Sequence, residues 1–239
     1  MALLPWLTGK VIRIEDETAD TRRLWIAIPT VERFEFQPGQ FLTLDLPIHE
    51  KANKRWRSYS IASWPDGSNI VELIIVLDKL GAGTNYLFNE VKIGSVLSFR
   101  GPQGVFTLHP TIDKDLFFIC TGTGIAPFRS MLHYIRVNQL PSKNIYLLFG
   151  CREEADLLYH SEMQQLEKEL PGFHYLPTLS QGNWEGRIGY VHALYHELCS
   201  AKQPADFYLC GWKDMVDEAR QELLNMGYEK ACIRQELYG

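Results

Sequence analysis

The chain has 239 residues, of which 46% are hydrophobic and 22% are charged. This length exceeds one average domain, so two domains of about 100 to 130 residues each are expected. The net charge of −5 and the lack of a Lys/Arg-rich tract argue against nucleic-acid binding. No apolar run is long enough for a membrane span, and the first residues do not have the pattern of a signal peptide. A cytoplasmic location is therefore expected.

In chain order, the first hundred residues predict short strands separated by glycine- and proline-rich turns. The predicted strands are residues 10–14, 23–28, 40–46, 57–62, 71–77 and 95–100. Six short strands in a segment of this size favour a small antiparallel β-barrel.

After Pro110 the pattern changes to compact apolar strands that alternate with helices. The predicted strands are residues 116–120, 145–149, 173–179 and 207–210, and the predicted helices lie around 128–135, 158–170 and 215–223. This alternation predicts a doubly wound parallel sheet. The expected domains are residues 1–110, a β-barrel, and residues 111–239, an α/β domain.

A glycine-rich turn follows the first strand of the second half: Thr121, Gly122, Thr123 and Gly124 precede a helix. Glycines allow a close backbone approach to a pyrophosphate, and a helix N-terminus supplies free N–H groups. The pair Cys210 and Gly211 ends another strand at the same edge of the sheet, so the two loops are expected to converge. A tight turn without a ligand is the alternative interpretation of this motif.

Two further motifs lie in the first half. Arg57, Ser58, Tyr59 and Ser60 are expected on one strand, where Arg57 and Tyr59 point to one face and the two serines to the other. On these residues alone, a surface without a ligand is the simpler interpretation. A second glycine-rich turn runs from Gly81 through Gly83 and Thr84 into a short helix, which again suits a phosphate.

Six motifs in order carry a family resemblance: R-x-Y-S, G-x-x-T-N-Y-L, G-P-x-G, G-T-G-I-A-P, C-G and a final E-x-Y, over residues 57–238. Together they resemble the ferredoxin–NADP reductase family. The resemblance implies a six-stranded barrel that binds FAD and a C-terminal domain that binds NAD(P). It also implies an enzyme that transfers hydride between nicotinamide and flavin N5 and exchanges electrons with a separate carrier.

The resemblance implies roles for individual residues. Arg57 would neutralise the flavin pyrophosphate, Tyr59 would pack against the isoalloxazine, and Ser60 would bond flavin N5. Other expected flavin contacts are Ser58, Ile61, Gly81, Gly83 and Thr84. The nicotinamide nucleotide would be bound by Thr121, Gly122, Thr123, Gly124, Cys210 and Gly211.

The last residues resemble a plant-type ending of this family. The expected catalytic residues are Ser60, Cys210 and Glu236, with Tyr238 stacked on the isoalloxazine. Gly239 follows Tyr238, so the aromatic residue is penultimate. A solvated tail is the alternative interpretation of this segment.

The nucleotide preference stays open between NADPH and NADH. Arg152, Ser180 and Arg187 are expected at the adenosine end, where cations would favour a 2′-phosphate. Gln181 stands where NADPH-using relatives usually have arginine. The stretch Trp184–Gly189 resembles NADH-using oxygenase reductases.

The electron acceptor is expected to be a separate protein. The five cysteines are scattered, without a C-x-x-C pair, so they predict neither a metal site nor an iron–sulfur cluster in this chain. The first choice is a small acidic carrier, ferredoxin or flavodoxin, which Lys51, Lys54 and Arg55 would attract. A solvated loop without such a role is the alternative interpretation of these three residues. Alternative acceptors are an oxygenase component and free flavin. An alternative function for the chain itself is a flavin-binding electron-transfer subunit without pyridine-nucleotide activity.

Overall fold

The computed structural model describes residues 4–182 and 184–238. The chain divides into two compact units. The first comprises Met1–Leu108 with Arg129–Tyr134, and the second comprises His109–Phe128 with Ile135–Gly239. Gly239, which follows Tyr238 in the sequence, lies outside the described residues.

The first unit contains six antiparallel strands and one helix. They are β1 (Leu7–Thr18), β2 (Thr21–Ala27), β3 (Phe41–Asp45), β4 (Trp56–Ser60), β5 (Ile70–Val76), α1 (Ala82–Asn89) and β6 (Val96–Gln103). The strand order is β4-β3-β6-β1-β2-β5, and an antiparallel bridge between Ile61 and Leu73 joins the two ends of the sheet. The predicted antiparallel barrel is thereby confirmed.

Alternation of apolar and polar residues explains why these strands close into a barrel. Along β3, Leu42 and Leu44 are fully buried, whereas the residues between them are partly exposed. The same alternation places Leu24 and Ile26 of β2 in one hydrophobic core. Burial of one face of β2 and β3 is the period-two pattern that the sequence shows, whereas β5 is buried on both faces from Val71 to Ile75.

The described residues after Leu108 form six parallel strands and four α-helices, and the middle of one helix, Arg129–Tyr134, is assigned to the first unit. They are β7 (Asp115–Thr121), α2 (Ile125–Val137), β8 (Ile145–Cys151), α3 (His160–Glu169), β9 (Phe173–Leu179), β10 (Arg187–Ile188), α4 (Val191–Leu198), β11 (Ala205–Trp212), α5 (Lys213–Asn225) and β12 (Ile233–Tyr238). The strand order is β10-β9-β8-β7-β11-β12. The carboxyl ends of these strands therefore share one edge of the sheet.

Helices cover both faces of this parallel sheet. On one face, Phe117 and Phe207 stack and pack in a core with side chains of α4 and α5. On the other face, Phe118 stacks on Phe128 of α2 at 4.8 Å between ring centroids. Tyr175 of β9 lies on this second face against His160 of α3. The predicted doubly wound fold is confirmed.

All six predicted barrel strands and all four predicted strands of the second half overlap observed strands. Two short edge strands, β10 and β12, were not predicted. Both carry charged residues among their apolar ones, which weakens their strand pattern. No helix in the described part of the chain has the length and hydrophobicity that crossing a membrane requires.

Candidate functional site

Strand β4 presents Arg57 and Tyr59 on one face, as the alternation predicts. Their register partners in β3 are the buried residues Leu44 and Leu42. The Tyr59 ring packs against the barrel core, and this burial raises the pKa of its phenol to about 12, although the positive charge of Arg57 opposes the shift. Tyr59 is therefore a neutral, partly exposed aromatic surface next to a cation.

The Arg57 side chain crosses the beginning of helix α1. A Cβ atom at Gly83 would lie 2.9 Å from Cγ and 3.1 Å from Nε of Arg57, so only glycine leaves room for this side chain. The guanidinium donates hydrogen bonds to the carbonyls of Lys54 and Trp56, at 3.2 and 2.8 Å. No carboxylate of the described residues forms a salt bridge with it. A cation thus lies beside a helix N-terminus, an arrangement that suits a phosphate.

Thr84 serves the turn before α1 rather than offering its hydroxyl to a ligand. Its Oγ1 donates to the carbonyls of Asp78 and Gly81, at 2.9 and 3.2 Å, and accepts from the Asp78 N–H at 3.1 Å. The Asn85 amide group bonds the same two carbonyls. The N-cap residue of α1, Gly81, provides no side-chain hydrogen bond to the first turn. The donors for a phosphate are therefore the backbone N–H groups of the first turn.

The other predicted flavin contacts lie on β4 and just after it. Ser58 is exposed, and its hydroxyl lies 3.1 Å from that of Thr43 on the outer face of the barrel. Ser60 is buried, at 4% exposure. The Ile61 side chain is fully buried in the core, so this residue can offer a ligand only its backbone.

The loop after β7 adopts the conformation expected of a phosphate turn. Thr121 ends the strand, Gly122–Gly124 form a single tight turn, and α2 begins at Ile125. Gly122 has a φ of +51°, which favours glycine, and a Cβ there would meet nothing within 4 Å. The backbone at this turn is therefore open to a ligand.

The loops after β7 and β11 touch through their backbones. A Cβ at Gly124 would lie 2.3 Å from the Cys210 carbonyl oxygen. A Cβ at Gly211, whose φ is +143°, would lie 2.5 Å from Oγ1 of Thr121. The Trp212 N–H also donates to Oγ1 of Thr121, at 3.4 Å. The predicted convergence of the two loops is present, and only glycine allows it.

Strand β12 brings the last residues of the described chain to the same edge. In the parallel ladder, Cys210 is the register partner of Glu236, and Trp212 is that of Tyr238. Burial raises the pKa of the Cys210 thiol well above its usual value, and the Glu236 carboxylate adds to this rise, whereas a hydrogen bond with Tyr238 opposes it. The segment is a paired strand, so its interpretation as a solvated tail is wrong.

Three of the four residues predicted as catalytic are therefore neighbours in the second unit: Cys210, Glu236 and Tyr238. Trp212 was missed by the sequence analysis, although it is 65% exposed at this edge. The sequence could have indicated Trp212, because an aromatic residue directly follows Cys-Gly at the end of a buried strand.

Arg152 and Ser180 lie at the ends of adjacent strands. Ser180 donates to the Cys151 carbonyl through both its N–H and its hydroxyl, at 3.0 and 3.3 Å. The Gln181 N–H donates to the Arg152 carbonyl at 2.8 Å. The Arg152 side chain is exposed, and its Nε donates to Asp156 at 3.2 Å. A solvent-exposed cation thus stands at the edge where an adenosine phosphate would be expected.

Arg187 has a different environment from Arg152. Its guanidinium forms a two-pronged salt bridge with Glu197 of α4, at 2.6 and 3.2 Å, which raises the pKa of Arg187. The Trp184 indole N–H donates to the Arg187 carbonyl at 2.8 Å, and the indole ring folds closely over Gly186. The charge of Arg187 is therefore already neutralised within the protein.

The comparisons with known proteins agree with this geometry. Residues 8–108 match the model of the oxidoreductase FAD-binding domain, and residues 118–221 match that of the oxidoreductase NAD-binding domain. Ferredoxin–NADP reductase B of Sorangium cellulosum (strain So ce56) is 38% identical over 196 residues, which cover 79% of either chain.

The chain belongs to the ferredoxin–NADP reductase family.

Like other members of this family, it is an FAD- and NAD(P)-binding oxidoreductase. The electron transfer component of anthranilate 1,2-dioxygenase from Acinetobacter baylyi is 31% identical over 80% of this chain and 54% of its own length. The phenol hydroxylase P5 protein of Acinetobacter pittii is 34% identical over 85% of this chain and 58% of its own length. The chain thus spans little more than half of these two relatives.

Solved structures of other reductases have the same fold. The Amycolatopsis cytochrome P450 reductase superposes with a TM-score of 0.89 at 27% identity, over 98% of this chain and 70% of that one. A ferredoxin NADP+ reductase from Neisseria gonorrhoeae, with bound FAD and NADP, superposes with a TM-score of 0.80 at 25% identity, over 97% and 98%.

The residues of this family member fit its two organic cofactors. The Arg57 guanidinium beside the start of α1 suits the FAD pyrophosphate, and the open backbone at Gly122 suits that of a nicotinamide nucleotide. Among the described residues, no three His, Cys, Asp or Glu side chains cluster as a metal site would require.

Proposed function

We propose that this chain transfers hydride between a nicotinamide nucleotide and FAD and exchanges electrons with a separate carrier protein, ferredoxin or flavodoxin. The observation that carries the proposal is the register of Cys210 with Glu236, which places a thiol and a carboxylate side by side at the nucleotide loop. The 38% identity to ferredoxin–NADP reductase B supports the choice of carrier.

When bound, FAD supplies the hydride and single-electron chemistry. In this proposal, Arg57 and the first-turn N–H groups of α1 bind its pyrophosphate, because a fixed cation and free donors converge there. Tyr59 offers its ring to the isoalloxazine, and Ser60 bonds N5. Residues 1–110 form the FAD-binding domain and residues 111–239 the NAD(P)-binding domain.

The second unit orients the nicotinamide nucleotide. The backbone from Thr121 to Gly124 binds the pyrophosphate, and Gly211 allows the strand end to approach it closely. Cys210 is fully buried and stays a neutral thiol, because burial raises its pKa well above the usual value, and its strand end would lie beside the nicotinamide ring. Glu236 would supply a negative charge next to it, and Tyr238 would stack on the isoalloxazine.

Both NADPH and NADH remain substrates in this proposal. Arg152 is exposed at the end of β8, where it would lie near a 2′-phosphate, although its Nε also contacts Asp156. Arg187 contributes less, because Glu197 already neutralises it. Gln181 adds no charge. We therefore expect a modest preference between the two nucleotides rather than strict selectivity.

A second candidate function is the reductase component of a multicomponent oxygenase, or a reductase of free flavin. The stretch Trp184–Gly189 favours it, as does the identity of 31% to the anthranilate dioxygenase component. A flavin-binding subunit without nucleotide activity is disfavoured by the intact loop at Gly122–Gly124 and by Cys210. The cytoplasmic location predicted from the sequence stays a prediction.

The deciding experiment reconstitutes the protein with FAD and mixes it anaerobically with NADPH or NADH while flavin absorbance is followed at about 450 nm. Bleaching by either nucleotide supports the enzyme, and the two rates give the preference. Ferredoxin, flavodoxin and free flavin are then offered as acceptors. A flavin that neither nucleotide bleaches would overturn the proposed function, and reduction of free flavin alone would favour the second candidate.

A further inference from the structure

An arginine on the outer face of the barrel lies between two tryptophans. Arg100 belongs to β6, and its guanidinium carbon lies 4.0 Å from the ring centroid of Trp6 and 4.5 Å from that of Trp56. The two indole rings are 5.9 Å apart and inclined at 51°. All three residues belong to the first unit, and none has a role in the proposed flavin or nucleotide sites.

The charge of Arg100 is buried without an acidic counterpart. The residue is only 6% exposed, and its Nε has no hydrogen-bond partner among the described residues. Asp45 is the acidic residue next to it on the outer face, since the neighbouring pairs of the sheet are Thr43 with Arg100 and Asp45 with Ser98. Both carboxylate oxygens of Asp45 accept hydrogen bonds from Arg55.

A buried N–H group without an acceptor, such as Nε of Arg100, is costly for a folded protein. Cation–π contacts with two indoles offset part of this cost but satisfy none of the N–H donors. An acceptor from outside the chain would complete the site. Because a guanidinium binds carboxylates with two parallel hydrogen bonds, a carboxylate is the group that Arg100 fits best.

The surroundings of Arg100 indicate a macromolecular partner. Trp6 and Trp56 are 39% and 37% exposed, so their rings also face solvent. Lys51 and Lys54 are exposed in the turn before β4, whereas the charge of Arg55 is neutralised by Asp45. Tryptophan and arginine are the residues that most often dominate binding at protein interfaces, and surrounding lysines accelerate association with an acidic protein.

We propose that Trp6, Trp56 and Arg100, together with Lys51 and Lys54, form a docking surface for the acidic electron carrier. This inference rests on the proposed function. A carboxylate of the carrier engages Arg100, the two indoles pack against the carbon atoms around it, and the two lysines attract the carrier over a longer distance. Trp56 directly precedes Arg57 on β4, so the docking surface shares a strand with the proposed flavin site.

The test uses the FAD-reconstituted full chain and purified acidic ferredoxin and flavodoxin as probes. Arg100→Gln is expected to weaken binding of the carrier in calorimetric titration, and to raise the KM for it, by about 10- to 100-fold. The KM for the nicotinamide nucleotide and the rate of ferricyanide reduction stay unchanged. The double variant Lys51→Gln/Lys54→Gln, in an exposed turn, is expected to reduce the salt dependence of association.

Arg13→Gln is the matched control. Arg13 also lies over a tryptophan, 4.3 Å from the Trp25 ring centroid, but Glu15 neutralises its charge. This variant is expected to bind the carrier like the wild type. Circular dichroism and FAD content show whether each variant is folded.

Three results would overturn the docking surface. The first is unchanged carrier binding in folded Arg100→Gln and in the double lysine variant. The second is a wild-type protein that binds neither ferredoxin nor flavodoxin. The third is a concentration-dependent dimer, detected by sedimentation velocity, that Arg100→Gln abolishes, because the surface would then bind a second copy. Failure of the wild type to reduce ferricyanide would instead contradict the proposed function, since carrier binding is measured without turnover.

Discussion

Cys210 and Glu236 are register partners in the parallel ladder between β11 and β12, so the thiol and the carboxylate lie on the same face of the sheet. Two positions further along the ladder, Trp212 pairs with Tyr238, so the Tyr238 side chain lies on the same face as Cys210 and Glu236. A thiol, a carboxylate and a phenol are thus held together by strand pairing. This relationship ties the end of the described chain to the nucleotide loop, because Gly124 touches the backbone of Cys210.

Replacement of Glu236 tests the role of the carboxylate. Glu236→Gln keeps the shape of the side chain but removes its charge, so we expect kcat to fall by about 100-fold with little change in the KM for the nucleotide. Stopped-flow measurement of flavin reduction checks this directly. The control is Gln235→Ala, which alters an exposed residue of the same strand. Equal rates for the wild type and Glu236→Gln would remove Glu236 from the reaction.

The pKa of Cys210 predicts its reactivity. Burial, with the nearby Glu236 carboxylate, raises this pKa well above the usual value, and burial does the same for Cys120. A raised pKa leaves the thiol protonated, and only the thiolate reacts. We therefore expect neither cysteine to react with a disulfide reagent at about pH 8 until the protein unfolds. Peptide mapping after labelling identifies the modified cysteines, and fast labelling of Cys210 in the folded enzyme contradicts the prediction.

The contact between Gly124 and Cys210 predicts the effect of one methyl group. In Gly124→Ala the new Cβ would lie 2.3 Å from the Cys210 carbonyl oxygen, so the backbone must move. We expect the KM for the nucleotide to rise by about 10-fold or more, since a displaced loop loses several of its pyrophosphate contacts. FAD content should not change. The comparison is Gly67→Ala, which strains a positive φ in open space of the first unit and should leave the KM unaltered.

The proposed pyrophosphate role of Arg57 predicts that lysine cannot replace it. Arg57→Lys keeps the charge but loses the two-pronged geometry, so FAD should bind more weakly by about 1.5–3 kcal/mol, on the order of 10- to 100-fold in Kd. Fluorescence titration of the apoprotein with FAD measures this difference. Arg55→Lys serves as the control, because Arg55 is bound to Asp45. Equal FAD affinity in the two variants argues against a phosphate contact at Arg57.

The salt bridge between Arg187 and Glu197 predicts a way to change nucleotide preference. Glu197→Gln frees the Arg187 guanidinium at the edge of β9 and β10, so kcat/KM for NADPH should rise several-fold while that for NADH stays constant. Steady-state kinetics measure kcat/KM for NADPH and for NADH in the wild type and in the variant. Asp217→Asn, which removes the similarly exposed partner of Lys213, provides the control. A proportional change with both nucleotides means that Arg187 does not distinguish them.

The sequence predicted the interior of both domains well, because buried strands show their alternation or their apolar runs locally. It also predicted the two glycine-rich loops, because the glycines and the helix that follows them are adjacent in the sequence. Strand β12 was different: three charged or polar residues stand between Ile233 and Leu237, without period-two alternation, and only pairing with β11 makes the segment a strand. Such an edge strand is stabilised by a partner that is distant in sequence.

The sequence also did not show which side chains form salt bridges and hydrogen bonds with one another. The residues Arg55, Arg152 and Arg187 look alike in the printed sequence, but Arg55 and Arg187 are bound tightly by Asp45 and Glu197. Thr84 likewise bonds its own turn. Arg100 received no role from the sequence, because its significance depends on two tryptophans that lie 94 and 44 positions before it, at Trp6 and Trp56.

The close approach of Gly124 and Gly211 to their neighbours also bears on protein engineering. A side chain at Gly124 would meet the Cys210 carbonyl, and one at Gly211 would meet Thr121. Most substitutions at these two glycines are therefore expected to displace the loops. The exposed positions Arg152 and Gln181, at the strand ends, carry no such restriction. Selection for a new nucleotide preference should therefore vary the residues at the strand ends and keep both glycines unchanged.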